Sequence, residues 1–361
     1  MANIIIAPGK YVQGKGELYN LGTYVQVLGQ KPFILVSPSG KKRVQGPIEQ
    51  SFGNVPLAFE AFGGECSKNE VDRLIACMGD CDVVVGVGGG KILDTAKAVA
   101  YYTHKSVAIV PTIASTDAPC SALSVLYTDE GVFDKYLFLP SNPNLVLVDT
   151  DVVSHAPARL LVSGMGDALA TYFEARATQR SGGATCAGGK VTQAAMALAQ
   201  LCYQTLMEQG LKAKLAVEQQ VCTQAVEDVI EANTFLSGIG FESGGLAGAH
   251  AIHNGLTVLE GCHAYYHGEK VAFGTLVQLV LENASSEELE EVLQFCLCVG
   301  LPVTLAQIGL ADATREQLMQ VAKASCAEGE SIYNMPMEIT ADKVFAAIVA
   351  ADAIGRHALE A

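Results

Sequence analysis

The chain has 361 residues, half of them apolar, and carries 23 Lys and Arg against 38 Asp and Glu, a formal net charge of −15. That length allows two domains with sizeable cores, and the acidic balance offers no basic footprint for nucleic acid. No apolar run approaches the ~20 residues of a membrane helix, and the 11 cysteines, odd in number and without C-x-x-C pairs, fit free thiols in a reducing cytoplasm better than a disulfide framework.

The opening Met-Ala-Asn-Ile-Ile-Ile-Ala-Pro-Gly-Lys lacks a positive n-region and a long apolar core, so a first strand at 4–6 is expected in place of a signal peptide. Leu18, Leu21, Val25 and Leu28 recur at helical spacing. Short, apolar, largely β-branched runs at 33–37, 57–61, 82–87, 107–110 and 145–148 predict strands covered on both faces. Ser67-Lys-Asn-Glu70 has the spacing of a capping box and predicts a helix to about residue 78. The alternation predicts an α/β domain with a doubly wound, mostly parallel sheet over residues 1–158. Beyond Ala158 strand patterns vanish. Alanine- and leucine-rich segments at 159–178, 190–209, 216–237, 243–256, 268–284, 286–300, 314–327 and 341–357 predict an all-α second domain, 159–361, with a loop at Gly182-Gly183 and Gly188-Gly189. A cleft between two such domains is the default place for a small ligand.

The most informative run is 83–97, Val-Val-Val-Gly-Val-Gly-Gly-Gly-Lys-Ile-Leu-Asp-Thr-Ala-Lys. A strand enters a glycine cluster and a helix leaves it, so free N–H groups and the positive end of a helix dipole are available to a phosphate. A P-loop needs a glycine at Val85 and a hydroxyl at Ile92, and the Rossmann fingerprint needs a glycine at Lys91, so neither standard pattern is met. A bare turn would not need three adjacent glycines, whose ordering costs backbone entropy, and Gly88-Gly89-Gly90 is therefore read as a site for a phosphate-bearing ligand. The hydroxyl-rich segment Pro111-Thr-Ile-Ala-Ser-Thr-Asp-Ala-Pro-Cys-Ser121 suits a polar ligand or a self-closing turn, and its acid, Asp117, suits either a ligand contact or a cap.

Four of the seven histidines, His250, His253, His263 and His267, fall in one 18-residue window. Together with Asp167, His250 and His267 offer two imidazoles and a carboxylate, a donor set suited to catalytic zinc with an open position. Spacing alone leaves surface or helix-packing histidines equally open.

The segments Gly88–Lys97 and Pro111–Ser121, together with Gly166-Asp-Ala-Leu-Ala-Thr171, Glu242-Ser-Gly-Gly-Leu-Ala-Gly-Ala-His-Ala-Ile-His-Asn-Gly255 and His267-Gly-Glu-Lys-Val-Ala-Phe-Gly274, resemble the glycerol dehydrogenase branch of the iron-containing (group III) alcohol dehydrogenase superfamily, in family order across the chain. The resemblance implies a dehydroquinate synthase-like architecture. It implies NAD held by Gly88, Gly89, Gly90, Lys91, Asp94, Thr112, Ser115, Ser121, Leu123 and Tyr127, and a polyol touched by Asp117. Asp167, His250 and His267 would hold the metal, with His253 beside them. Iron-dependent relatives carry a fourth ligand, a His, where this chain has Thr171, so zinc (Zn2+) is expected. The family usually has an acid near position 37; here Ser37 is followed by Lys41-Lys42-Arg43, so NAD is expected with reduced discrimination against NADP. The implied activity is reversible oxidation of glycerol at C2, extending to 1,2-propanediol, by a cytoplasmic homo-oligomer, with an octamer as one candidate. Rivals within the fold, glycerol-1-phosphate dehydrogenase and sugar-phosphate cyclases, call for more cations than these motifs offer. A zinc hydrolase would not need a dinucleotide loop, and a non-catalytic NAD-binding protein would not need the metal set.

Overall fold

The β-branched runs of the first half lie side by side. In the computed structural model, which describes residues 1–360, the strands are β1 (Tyr11–Gly14), β2 (Pro32–Val36), β3 (Ala58–Ala61), β4 (Val83–Gly88), β5 (Ser106–Pro111), β6 (Leu123–Tyr127), β7 (Phe133–Phe138) and β8 (Leu145–Asp149). Six of them form one parallel sheet in the order β1-β8-β5-β4-β2-β3, while β6 and β7 make a separate antiparallel pair. The helices α1 (Leu21–Val25), α2 (Pro38–Phe52), α3 (Lys68–Cys77), α4 (Gly90–Thr103) and α5 (Thr150–Ser154) connect or follow these strands. β2, β4 and β8 are buried along their whole length, the reason their sequences read as continuous apolar runs. One core cluster joins Ile34, Val36, Val83, Val85, Val87 and Leu147 to Val44, Ile48 and Phe52 of α2.

The chain runs from β2 outward to β3 and then returns across β2 to β4. The order reverses between β2 and β4, and open α/β sheets bind ligands beyond the carboxyl ends of the strands at such a reversal. Ser37 follows one of those ends and Gly88–Gly90 closes the other.

The structure differs from the expected elements in four places. Residues 4–6 form no strand: Asn3 makes an isolated parallel bridge to Lys190, and Ile4 lies so close to Gly189 that a Cβ there would sit 2.6 Å from its Cγ1. The sheet begins only after Pro8-Gly9, at Tyr11. Second, α2 carries Gly40, Gly46 and an internal Pro47, which conceal it in the sequence, yet Val44, Ile48 and Phe52 bury one face and Ser37 caps it by accepting the Gly40 amide at 3.0 Å. Third, β6 and β7 went unread because β7 is exposed on both faces. Fourth, Ser67 accepts the Glu70 amide, but the Glu70 carboxylate turns to the Gly63 amide and to Arg73, so the capping box is half made.

The chain divides into two compact units: residues 6–157 with 216–238, and residues 1–5, 158–215 and 239–361. The expected division at 158–159 therefore needs correcting. α8 (Gln224–Glu231) and the π-helical turn Ala232–Leu236 that follows it belong with the sheet. Thr150 and Gln13 bond Glu227 there, and Asn233 donates to the Ala114 carbonyl.

The other unit is helical: α6 (Ala158–Ser181), most of α7 (Gln193–Glu218) and of α9 (Ser237–Gly244), then α10 (Gly248–Leu256), α11 (His267–Leu281), α12 (Ser286–Val299), α13 (Arg315–Ser325) and α14 (Ala341–Glu360). Its central helices cross backbone to backbone. A Cβ at Gly268 would lie 1.8 Å from the Ser163 carbonyl oxygen, one at Gly166 2.3 Å from that of Gly268, and one at Gly274 2.4 Å from that of Ala249. Gly268→Ala should cost about 3 kcal/mol or more, since backbone cannot move aside as a side chain can; urea unfolding checks this, and a variant as stable as the parent would contradict the crossing.

Candidate metal centre and dinucleotide loop

The glycine crossings explain why three ligand-type side chains converge. Asp167 follows Gly166 on α6, His267 precedes Gly268 at the start of α11, and His250 follows Ala249 on α10. Asp167 and His267 are next to glycines that let the helices approach, and His250 follows the residue whose carbonyl Gly274 packs against. The small residues Ala170, Ala249 and Val271 pack between the three helices. Asp167, His250 and His267 each offer one ligand atom, all within 4.8 Å of one another. The Nε2 atoms of His267 and His250 stand 3.1 Å and 3.3 Å from Asp167 Oδ1. Asp167 is fully buried, whereas the His267 side chain is 36% exposed, which leaves one side open to a ligand.

The electrostatics suit a cation. Burial by itself would raise the Asp167 carboxyl, but His267 and His250 outweigh it and hold the group well below the usual carboxylate range. Burial would likewise lower His250, but Glu174 and Asp167 raise it well above an ordinary imidazole. His253 is held well below by burial and by His267. Two carboxylates, Asp167 and Glu174, thus draw positive charge into a dry site.

Glu174 escaped the sequence reading. Its Oε2 lies 2.6 Å from His250 Nδ1, and its Oε1 accepts the amides of Ala247 and His250 at 2.8 and 3.0 Å. A signal was available: Glu174 stands seven residues after Asp167, on the same helix face. A carboxylate on Nδ1 leaves Nε2 as the donor atom, the outer-shell arrangement of metal-bound histidines. On the other side His253 Nε2 is 3.2 Å from His267 Nδ1. His263 is turned away, bonding the Thr257 carbonyl. The donor chemistry, the second partners and the opening all fit a divalent metal ion.

In the sheet unit, β4 ends at Gly88 and Gly89 caps α4 without a side chain to offer it. Gly86, Gly88 and Gly89 are needed by the fold itself, since a Cβ on them would meet Ala96, Ile92 and Ile113 at 2.5, 2.5 and 2.9 Å. Gly90 is different: the nearest protein atom to its Cβ, Thr116 Oγ1, would be 3.9 Å away, an ordinary contact, so the protein's own packing does not demand glycine there. That bare cradle fits a phosphate seated on the amides of the first turn.

The other expected dinucleotide residues fall into three groups. Thr112 donates its amide to the Gly88 carbonyl at 3.0 Å, joining the two loops. Lys91 pairs with Glu65 and lies over the Tyr127 ring. Asp94 is turned inward: it pairs with Lys97 and accepts the Val125 amide at 3.1 Å, and burial raises its carboxyl pKa against the pull of Lys97. Lys97 is fully buried and donates to the carbonyls of Ala118 (2.6 Å) and Leu123 (2.9 Å) and to Ser121 Oγ (3.3 Å). This one ammonium gathers Asp94, Ser121 and Leu123 and holds the loop between β5 and β6. Asp117, also buried, accepts from Ser237 Oγ at 2.8 Å, and Ser115 lies between Thr112 and Asp117 in the same loop.

A family model described as iron-containing alcohol dehydrogenase matches residues 8–150. A glycerol dehydrogenase of Escherichia coli O6:H1 is 58% identical over 100% of this chain and 99% of its own length. The chain belongs to the iron-containing alcohol dehydrogenase family. Among its other relatives in the family, a glycerol dehydrogenase of Thermotoga maritima is 53% identical over 99% of this chain and 98% of its own. The crystal structure of glycerol dehydrogenase from Schizosaccharomyces pombe superposes with a TM-score of 0.95 at 42% identity, covering 98% of this chain and 91% of that one.

The two positions singled out in the sequence, 171 and 37, are both taken up by the fold. Thr171, one turn after Asp167, is fully buried and packed on α9, where a Cβ at Gly240 would come within 2.5 Å of its Cγ2. Ser37 is occupied as the cap of α2, and Lys41 of that helix is held over the Phe59 ring at 4.7 Å. No helix of the described residues is long and apolar enough to cross a membrane.

Proposed function

We propose that this chain catalyses the reversible, NAD-linked oxidation of glycerol at C2 to dihydroxyacetone, with zinc at Asp167, His250 and His267, and that it also accepts vicinal diols such as 1,2-propanediol. The convergence of those three side chains in a protein 58% identical to a glycerol dehydrogenase carries the reading. A metal ion held by Asp167, His250 and His267 would supply Lewis acidity toward an alcohol oxygen, and a bound nicotinamide cofactor would supply the hydride acceptor. Asp167 contributes one negative charge and two imidazoles contribute none, so the donor set leaves a dication with net positive charge. Glu174 keeps His250 Nε2 bare by accepting a hydrogen bond from Nδ1–H, which holds the ring proton on that nitrogen. The amides around Gly90 take the pyrophosphate, and Lys97 keeps the loop 118–123 in shape beside it. Asp117, steadied by Ser237, is the candidate acceptor for polyol hydroxyls. Thr171 in place of a fourth histidine favours zinc over iron, and the resemblance favours a cytoplasmic homo-oligomer.

NADH formation from NAD and glycerol at alkaline pH, with and without a chelator, tests the reading. No NADH, or formation untouched by thorough metal removal, contradicts it. Coenzyme choice is a separate expectation: without an acid at Ser37, a preference for NAD of more than about a thousandfold in kcat/KM, roughly 4 kcal/mol, would contradict relaxed discrimination.

Gly90 gives a cleaner probe of the loop. Gly90→Ala makes only an ordinary contact with Thr116 Oγ1 at 3.9 Å and sits in helical backbone, so it should raise stability by a few tenths to about 1 kcal/mol. The same methyl group stands where the phosphate would rest, so NADH should bind about tenfold or more weakly, a loss of roughly 1.4 kcal/mol. A thermal melt and a fluorescence titration read the two effects; unchanged NADH affinity would remove Gly90 from the site.

A further inference from the structure

The geometry points to Asn254 and Glu330 as positioning residues that fix which nitrogen His267 presents to the metal. Four groups form a line. His267 Nδ1 is 3.2 Å from His253 Nε2, His253 Nδ1 is 3.1 Å from Asn254 Oδ1, and Asn254 Nδ2 donates to Glu330 Oε2 at 3.0 Å.

The protons along this line are set from its far end. A carboxylate accepts and cannot donate, so the amide face turned to Glu330 is its NH2. The amide oxygen then faces His253 and accepts its Nδ1–H. A neutral imidazole with its proton on Nδ1 has a bare Nε2, which accepts from His267 Nδ1–H. His267 is left with a bare Nε2, the atom 3.1 Å from Asp167 Oδ1. Glu174 does the same for His250 in one step, and Glu330 does it for His267 in three.

Turning the amide over reverses every bond. An NH2 facing His253 demands a bare Nδ1, puts the proton on Nε2, and forces His267 to carry its own proton on Nε2, where it cannot ligate. Glu330 excludes that state. A glutamine at 330 can donate as well as accept, so it permits both states.

This inference rests on the proposal that Asp167, His250 and His267 hold a metal ion. The test is zinc affinity of the full-length protein by competition with a chromophoric chelator, with the visible spectrum of the cobalt-loaded form as a second readout. Glu330→Gln should weaken zinc by about tenfold, the low end of the effect of outer hydrogen-bond partners, and alter the cobalt bands. In an Asn254→Ala background, where the line is already cut, Glu330→Gln should add nothing. Melting of the metal-free forms shows whether the variants fold. If Glu330→Gln is folded and binds zinc within about threefold of the parent, or weakens it equally in the Asn254→Ala background, the inference is overturned. If the parent itself binds no zinc, the metal proposal fails instead.

Discussion

His267→Ala should lose bound zinc and glycerol-dependent NADH formation together. Structural zinc sites bind with about 10–16 kcal/mol over four donors, so one donor is worth about 3 kcal/mol, about a hundredfold in affinity. The fold should survive, because His267 stands at the first position of α11 and its side chain is partly exposed. Metal content after dialysis, beside turnover, is the check; a variant that retains one zinc per chain would show that Asp167, His250 and His267 are not the ligand set. The same site has a pH signature with two opposite slopes. His250 is raised in the metal-free fold, so its contribution to stability is present below the unfolded imidazole pKa of about 6.5 and is lost as pH rises through the folded value. Asp167 is depressed, so its contribution is present above about pH 4 and is lost as pH falls. His253, held well below an ordinary imidazole, costs stability as pH falls below about 6.5, so the metal-free protein should be most stable near pH 6.5 and weaken on either side (an approximate value from the unfolded imidazole pKa). Zinc affinity should instead rise with pH, because the ion must displace the proton from His250. Melting curves with and without chelator separate the two trends, and parallel slopes would contradict the assignment.

Lys97→Met should cost about 3–5 kcal/mol, the range for removing one partner of a buried ion pair. Asp94 would be left buried against the Val125 amide, the Leu123 carbonyl would lose the ammonium, and the Ala118 carbonyl would keep only the amide and hydroxyl of Ser121. The loop between β5 and β6 should loosen, so NADH affinity should fall along with stability. Guanidinium unfolding and NADH titration measure the two. Loss of NADH binding at unchanged stability would mean that Lys97 contacts the dinucleotide directly; loss of neither would contradict the buried network.

Much of this was written in the chain. The periodicities of β2, β4, β5 and β8 and of α6 and α11 are strong because each of those elements is buried on a fixed face or on both. Local rules failed where local sequence and tertiary setting disagree. α2 holds two glycines and a proline and is a helix because Val44, Ile48 and Phe52 have a core to enter. Glu70 has the spacing of a capping box and spends its carboxylate on Arg73, a partner chosen by the path of the chain and not by spacing.

The candidate site divides the same way. The sequence by itself offered Asp167, His250 and His267 as candidate donors, chosen through the family resemblance, and the glycine run at 88–90 as a candidate phosphate loop, because donor chemistry and backbone freedom belong to residues one at a time. Only the tertiary structure decided that Asp167, His250 and His267 meet, through helix crossings at Gly166, Gly268 and Gly274 that no spacing reveals. It also decided that Glu174 orients His250, that Asp94 turns inward to Lys97, and that Gly90, among its neighbours, is bare without internal need. Hydrogen bonds and contacts between distant helices depend on three-dimensional proximity, and a one-dimensional pattern carries periodicity but not proximity.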